Sequence, residues 1–381
     1  MFPCHCHAKG IFSLKVSRSC NLTNMKYLLA SLAVGLILGT GECYAQFSNS
    51  AVAQGKSRIT RLSDFPVVPG DEAVVTKTLS DKISNCVSQT NYLELDRIAD
   101  ELRKSKKETA NGTWHLLVFY RVLALGELST NSPTEEVWTA RLSFLKAWTN
   151  TMPSSITARV ALARYYKDYA WHARGKGFAD TVSETGFKLF EERLTQAEQV
   201  LRGATNLEPK CPVWWDTMQF VALGLSWDLN SYNKLFDQAV AFDPAYVFFY
   251  NNRAVYLQPR WHGKEGDWQR FAVQAADRIG GDRGDILYAR IGWRVHERRF
   301  YSGFLRDSGY SWARLKSGME KVINEHPDSI SAASELAYLA YQAKDQVCAK
   351  AQFERVGMKV DKEVWHSDQL RFMRARSWAL E

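Results

Sequence analysis

From residue 71 onward, apolar side chains recur every three to four positions along the chain. One such run contains Trp114, Leu117, Val118 and Val122, and another begins at Ile156. This period places apolar residues on one face of an α-helix, whereas the alternation typical of strands is nearly absent. The pattern predicts an all-α chain.

Residues that favour helix starts and helix ends divide this pattern into short units. Pro153, Pro244 and Pro327 stand beside Ser or Asp at expected helix starts, whereas Gly175 and Gly280 follow expected helix ends. Glycine suits the position after a helix because it adopts the left-handed turn there without strain. We expect roughly twelve to fifteen helices of about 10 to 20 residues joined by short loops. Such a chain forms antiparallel helix pairs, stacked as a solenoid or wrapped into a compact bundle.

Two of the expected helix ends share a sequence pattern and lie 35 residues apart. Ala204-x-x-Leu207-x-Pro209 and the stretch 239–244 each combine small residues, an apolar residue and a proline. This spacing is close to the tetratricopeptide period of about 34 residues. Pro153 and Pro209 are 56 residues apart, and Pro244 and Pro327 are 83 apart, so the repeat is interrupted. We therefore predict tetratricopeptide-like antiparallel helix pairs arranged as an irregular α-solenoid.

The N-terminal region differs in composition from the helical part. Residues 25–45 begin with methionine and lysine, continue in a short apolar run and end in small and polar residues, as secretory signal peptides do. We interpret 1–24 as an extension before the true start, 46–70 as a flexible linker and 71–381 as the helical repeat domain. A signal peptide predicts a periplasmic or secreted protein with no transmembrane anchor after cleavage.

Charge and cysteine content limit the function classes. The whole chain has a net charge of +8 without long basic runs, which gives little support for nucleic-acid binding. Cys86, Cys211 and Cys348 follow the signal region and are far apart. One disulfide is compatible with an oxidising compartment, but disulfides do not define this fold. The pairing of the three cysteines stays open, as does the oligomeric state.

The segment 258–268 is the part of the chain that helix packing explains least. It reads Gln-Pro-Arg-Trp-His-Gly-Lys-Glu-Gly-Asp-Trp. As a ligand site it would offer aromatic faces, a guanidinium fork for a carboxylate, and carboxylate acceptors. The residues concerned are Arg260, Trp261, Glu265, Asp267 and Trp268. As a structural element, the same segment would join two helices and plug the end of a helix pair with its tryptophans.

A second candidate stretch, residues 165–174, carries aromatic side chains on more than one side of its expected helix. Such a helix is either contacted all round or lines a groove. Trp171 and Arg174 are its candidate ligand-binding residues. An ion pair between Arg174 and Asp267 or Glu265 would be structural.

Catalytic and metal-binding patterns are weak in this sequence. Glu265 and Asp267 are the only closely spaced acids beside tryptophans, and the serine-elbow, zinc-protease and phosphate-loop motifs do not occur. We therefore expect no catalytic residue, no bound metal and no cofactor. The basic residues at 290, 294, 298 and 299 form the densest basic face, which we interpret as exposed to solvent.

Several pieces of the chain together carry a resemblance to a known family. They are Pro153 with Ala158, the stretch 170–175, Pro244 with Tyr246 and Tyr250, and the segment 258–268. In this combination the chain resembles a family of exported bacterial proteins of unknown function, whose domain consists of tetratricopeptide-like helix pairs. The family usually has Trp-Gly-Gly where this chain has Trp261-His262-Gly263. The resemblance implies a fold and a compartment, but no activity.

Our functional expectation is an exported helical-repeat protein that serves as a protein- or peptide-interaction scaffold in the cell envelope. Helical-repeat folds present concave surfaces, and the 13 tryptophans and 16 tyrosines of the chain suit such a surface. The alternative is a glycan or small-ligand binder, or a weak hydrolase, that uses the segment 258–268.

Overall fold

A computed structural model describes residues 61–125, 134–175, 177, 179–298 and 304–381. Within these residues the fold is all-α, as predicted, with two strands of two residues each. The helices are α1 Asp71–Ser88, α2 Tyr92–Ser105, α3 His115–Leu125, α4 Glu135–Thr151, α5 Ile156–Arg174, α6 Glu184–Gly203, α7 Pro212–Gly224, α8 Leu229–Phe242, α9 Val247–Tyr256, α10 Asp267–Ile279, α11 Gly281–Arg298, α12 Phe304–Asp307, α13 Trp312–Glu325, α14 Ile330–Ala343, α15 Gln346–Val356, α16 Lys362–Trp365 and α17 Gln369–Leu380. The strands are β1 Val67–Val68 and β2 Val360–Asp361, and short 3-10 turns lie at Leu62–Asp64 and Ala179–Thr181.

The helix starts and ends follow the local sequence. Ser155 caps α5 by accepting a hydrogen bond from the Ala158 amide at 2.9 Å, and Ser329 caps α14 in the same way from Ala332 at 3.0 Å. Gly175 and Gly280 follow α5 and α10 with φ of 75° and 72°. A non-glycine residue is strained at such angles, which explains why these helices end there.

The helices pack as a solenoid-like array. Along one layer, α3, α5, α7, α9 and α11 contact one another in chain order. A second layer covers them, in which α6 packs on α5, α8 on α7 and α10 on α9. The array continues through α13 and α14, and Trp293 of α11 approaches Tyr338 of α14 with ring centroids 6.3 Å apart.

The two ends of this array meet, so the solenoid closes on itself. β1 pairs in parallel with β2, and the Gly70 amide donates to Glu363 Oε2 at 2.6 Å. The Asp71 amide donates to Ser331 Oγ at 2.9 Å, which fixes the start of α1 on α14.

This closure changes the domain boundary that we assigned from the sequence. Residues 61–70, placed in the flexible linker, belong to the folded unit. The linker pattern failed there because the pairing partners of these residues lie near the other end of the chain. The extension 1–24, the signal region 25–45 and residues 46–60 lie outside the described residues.

The basic face expected on α11 is not a solvent-exposed surface. Arg290 is buried, and its guanidinium donates to Glu108 Oε1 at 2.9 Å and to the Ala110 carbonyl at 3.1 Å. The solvent interpretation is wrong for Arg290 because the loop between α2 and α3 folds over it. Arg299 and the side chain of Arg298 lie outside the described part.

Cys86, Cys211 and Cys348 are all buried as free thiols. In the described ranges, no helix has both the length and the apolar character that a membrane span requires.

Candidate functional site

Closure of the array leaves a cavity of about 1150 Å³ that is partly open to solvent. Its lining comes from the inward faces of α1, α3, α5, α7, α9, α11 and α14, together with residues around α16. Ligand pockets commonly measure about 300–1,000 Å³, so this cavity is large enough for a ligand of several residues or sugar units.

One side of the cavity, here called the basic wall, carries Arg121, Arg164, Lys167 and Arg294. Arg164 of α5 is buried and forms an ion pair with a residue of α7. Its Nη1 lies 3.0 Å from Asp216 Oδ2. The other Asp216 oxygen accepts from Asn252 Nδ2 at 2.8 Å. Both charges are removed from water, so each depends on the other for compensation.

Lys167 lies one turn further along α5 and pairs with Asp168. Burial lowers the pKa of Lys167 to about 8, with Arg164 adding to the effect and Asp168 opposing it. Its ammonium lies 5.4 Å from the Phe220 ring centroid, in cation–π range. The basic wall therefore holds an amine that titrates close to neutral pH.

The other two cations of the basic wall are paired in the same manner. Arg121 pairs with Glu72, whose second oxygen accepts from the Thr113 hydroxyl at 3.0 Å. Burial raises the pKa of Glu72, but Arg121 and Thr113 outweigh that effect and the net shift is downward. Arg294 pairs with Glu297 at 3.2 Å.

Another part of the lining, here called the acidic wall, carries Asp71, Glu335, Asp361 and Glu363. Asp361 accepts from the Ser331 hydroxyl at 2.7 Å and from the backbone amides of Glu363 and Val364. Burial raises the pKa of Asp361, and these hydrogen bonds only partly offset the rise.

Glu335 differs from the other acids of this wall because it lacks a partner. Its side chain projects from α14 among the cavity-lining residues and is 5% exposed. Within the described residues it makes no hydrogen bond and no ion pair. Burial raises its pKa well above the usual value, and the carboxylates of Glu297, Asp361 and Asp71 raise it further, with Arg290 opposing.

Part of the segment 258–268 reaches the cavity. Arg260 and Trp261 line it, as does Trp171 of α5. The Trp171 and Trp261 rings meet edge to face with centroids 5.6 Å apart. The Arg174 guanidinium lies 5.6 Å and 5.7 Å from those two rings, and it donates to the Gly177 carbonyl at 3.0 Å. Four of the sequence-derived candidates therefore form one cluster at the cavity.

The remaining candidates of this segment do not line the cavity. Trp268 is fully buried and stacks on Tyr310 with centroids 5.2 Å apart. Asp267 accepts from the Lys264 amide at 2.6 Å and pairs with Arg270, at the start of α10, and Glu265 is exposed. These three residues fit the structural interpretation of the segment, in which it joins two helices.

The glycine and histidine in the middle of the segment also have structural roles. A Cβ at Gly263 would lie 1.9 Å from the Leu257 carbonyl oxygen, so only glycine fits there. His262 places Nε2 3.1 Å from the Leu223 carbonyl and packs on Tyr256. The segment therefore tolerates a side chain at 262 but not at 263.

Sequence reasoning missed most of the charged lining, although two signals for it existed. Arg164, Lys167, Asp168 and Trp171 recur at helical spacing on α5, so they share one face of a helix that is otherwise mainly apolar. Glu335 is the only charged residue of α14. An isolated charge in an apolar helix is informative because its burial has to be compensated.

The side chains of the described residues do not include a group of three His, Cys, Asp or Glu that could hold a metal ion.

Comparison with known proteins gives a family similarity for part of the chain. Residues 80–215 match a family described as "Domain of unknown function (DUF4034)". The match runs from within α1 to the start of α7, so it includes most of the basic wall but neither the segment 258–268 nor Glu335. No curated protein and no solved structure matches the chain. The resemblance to a family of unknown function is thus confirmed for about a third of the chain, while the bacterial, exported character and the tryptophan-glycine motif stay predictions.

Proposed function

We propose that this chain is a binding protein that holds a short peptide in its partly open cavity, in the periplasm or outside the cell. The observation that carries this proposal is a cavity of about 1150 Å³ lined by charged and aromatic side chains. Charged groups are costly to bury, so a cavity that concentrates them suits a polar ligand better than an apolar one.

Peptide chemistry fits this lining. A peptide combines backbone donors and acceptors with apolar side chains and with a charge at each end. The cavity offers aromatic surface at Trp171, Trp261 and Phe248, cations with their paired carboxylates on the basic wall, and carboxyl groups without ion pairs on the acidic wall. A cavity of this volume favours a short segment over the surface of a folded partner, which narrows the scaffold role expected from the sequence.

A glycan is the second candidate, and Trp171 and Trp261 favour it. Aromatic side chains at a cavity edge provide apolar surface for sugar rings. The hydrolase version of this alternative has less support, because Glu265 and Asp267 do not line the cavity and Asp267 is engaged with Arg270.

Native mass spectrometry of the protein with a mixture of random tri- to pentapeptides, and separately with mixed chito- and malto-oligosaccharides, tests the proposal. We expect peptide adducts on the wild type and a loss of about tenfold or more in their affinity in Trp261→Ala, in line with the loss of a large aromatic contact. The matched control is Trp214→Ala, which removes a partly buried tryptophan outside the cavity lining. Circular dichroism checks that both variants fold.

Adducts with oligosaccharides and none with peptides would replace the peptide proposal by the glycan alternative. Equal peptide binding by Trp261→Ala and the wild type would remove the cavity as the binding site. The absence of adducts from both mixtures would overturn the proposal.

A further inference from the structure

The carboxyl groups of the acidic wall form no ion pairs within the described residues. They belong to Asp71, Glu335, Asp361 and Glu363. Three of them are held by hydrogen bonds: Asp71 accepts from Ser329, Asp361 from Ser331, and Glu363 from the Gly70 amide. These bonds fix the carboxyl groups in place but bring no positive charge.

Glu335 is the carboxyl group of this wall that a ligand can contact directly. It is 95% buried, it lines the cavity, and it has neither a hydrogen bond nor an ion pair among the described residues. A carboxyl group with so little exposure and with no hydrogen-bond donor or cation beside it is harder to ionise than a paired one.

A metal ion and an ammonium group are the two kinds of cation that could bind Glu335, and they differ in the ligands they need. A metal ion needs several ligands around one point, and the described residues offer no group of three suitable side chains. An ammonium group needs only one close carboxylate and has three N–H donors to share. The free oxygens of Glu335, with Asp361 and Asp71 near enough to raise its pKa, match an ammonium group better.

We propose that the acidic wall binds the ammonium group of the cavity's ligand, with Glu335 as its direct partner. This inference rests on the proposed function: in a bound peptide the ammonium group is the N-terminal amine. A lysine side chain carries the same group, so the experiment has to distinguish the two sources.

Isothermal titration with four related peptide mixtures tests this inference. The forms are free peptides, N-acetylated peptides without lysine, N-acetylated peptides with lysine, and C-amidated peptides. We expect acetylation to weaken binding to the wild type by about tenfold or more, the scale of a lost charged hydrogen bond. C-amidation should leave the amine contact intact. Retained binding of the acetylated lysine peptides would assign the contact to a side-chain amine.

Glu335→Gln is the matched variant, because the amide keeps the shape of the side chain and removes its charge. It should weaken binding of the free peptides to the level of the acetylated ones. Glu320→Gln, an exposed carboxyl on α13, should bind all forms as the wild type does. Circular dichroism shows whether each variant is folded.

Equal affinity of the wild type for free peptides and for both acetylated forms would overturn this inference and leave the peptide proposal standing. No binding of any peptide form would instead reject the proposed function. A gain in thermal stability with calcium that Glu335→Gln abolishes, together with no effect of acetylation, would replace the ammonium site by a metal site.

Discussion

On the basic wall Arg164 lies 3.0 Å from Asp216, whereas on the acidic wall Glu335 has no cation within ion-pair distance among the described residues. Both side chains are almost completely buried and both face the same cavity. The first wall pairs its cations with carboxylates of their own or neighbouring helices, and the Arg164–Asp216 pair holds α5 and α7 together. The second wall has no such pairs, which leaves Glu335 available to a ligand under the proposed function.

The largest expected effect is the loss of stability in Arg164→Met, a change on the basic wall. This change leaves Asp216 buried without its cation, and breaking one side of a buried pair costs about 3–5 kcal/mol of unfolding free energy. Denaturant unfolding followed by circular dichroism measures the loss. Adding Asp216→Asn removes the stranded charge, so the double variant should be more stable than Arg164→Met alone. If the single variant were as stable as the wild type, the pair would not be structural.

Glu335→Gln, on the acidic wall, should change the stability in the opposite direction and make the protein more stable. Burial raises the pKa of Glu335 in the folded protein above its value in the unfolded chain. At a pH between these two pKa values, the carboxyl group is mostly protonated in the folded protein and mostly ionised in the unfolded chain. The stability linked to this group is complete below the unfolded pKa and is lost as pH rises through the folded one. At pH 8 we expect Glu335→Gln to be more stable than the wild type by about 1–3 kcal/mol.

The pH profile is the check on that interpretation. The stability advantage of Glu335→Gln should shrink as pH falls toward 4, because the wild-type carboxyl group becomes neutral. Denaturant midpoints of both proteins between pH 4 and pH 8 measure the difference. A constant difference across this range would show that Glu335 is not the titrating group.

The smallest expected effect concerns the junction between the chain ends. Ser331→Ala removes one hydroxyl that donates to Asp361 and accepts from the Asp71 amide. The expected loss is about 1 kcal/mol, the net value of an ordinary hydrogen bond. Ser317→Ala, at a weaker 3.3 Å contact to Asp285, is a control that should change stability less. Equal losses in the two variants would argue against a special role of Ser331 in closure.

Local structure was predictable because its causes are local. The serines that cap α5 and α14 and the glycines that end α5 and α10 act within one helical turn of themselves, so neighbouring residues contain the necessary information. The all-α class followed from the apolar period, which depends only on spacing.

The closure and the cavity were not predictable, since their causes are distant in sequence. β1 and β2 have two residues each and no strand pattern, and their pairing depends on each other alone. Arg290 and Arg294 have the same spacing as charges on a solvent-exposed helix face, and only the packing of other elements shows that Arg290 is buried and Arg294 lines the cavity. Within the segment 258–268, the sequence pattern did not distinguish among the five candidate residues, whereas packing places Trp261 at the cavity and Trp268 in the core.

The closing contact between Gly70 and Glu363 joins residues 293 positions apart, and this has a consequence for how the protein acquires its shape. Helix pairs of a repeat array fold on their neighbours as the chain emerges, but a contact of such long range forms late. Residues 360–363 supply two carboxyl groups of the acidic wall as well as the second strand. A chain released before these residues are made would keep most of its helix pairs yet lack these two carboxyl groups, so the cavity lining is complete only after residues 360–363 have been made.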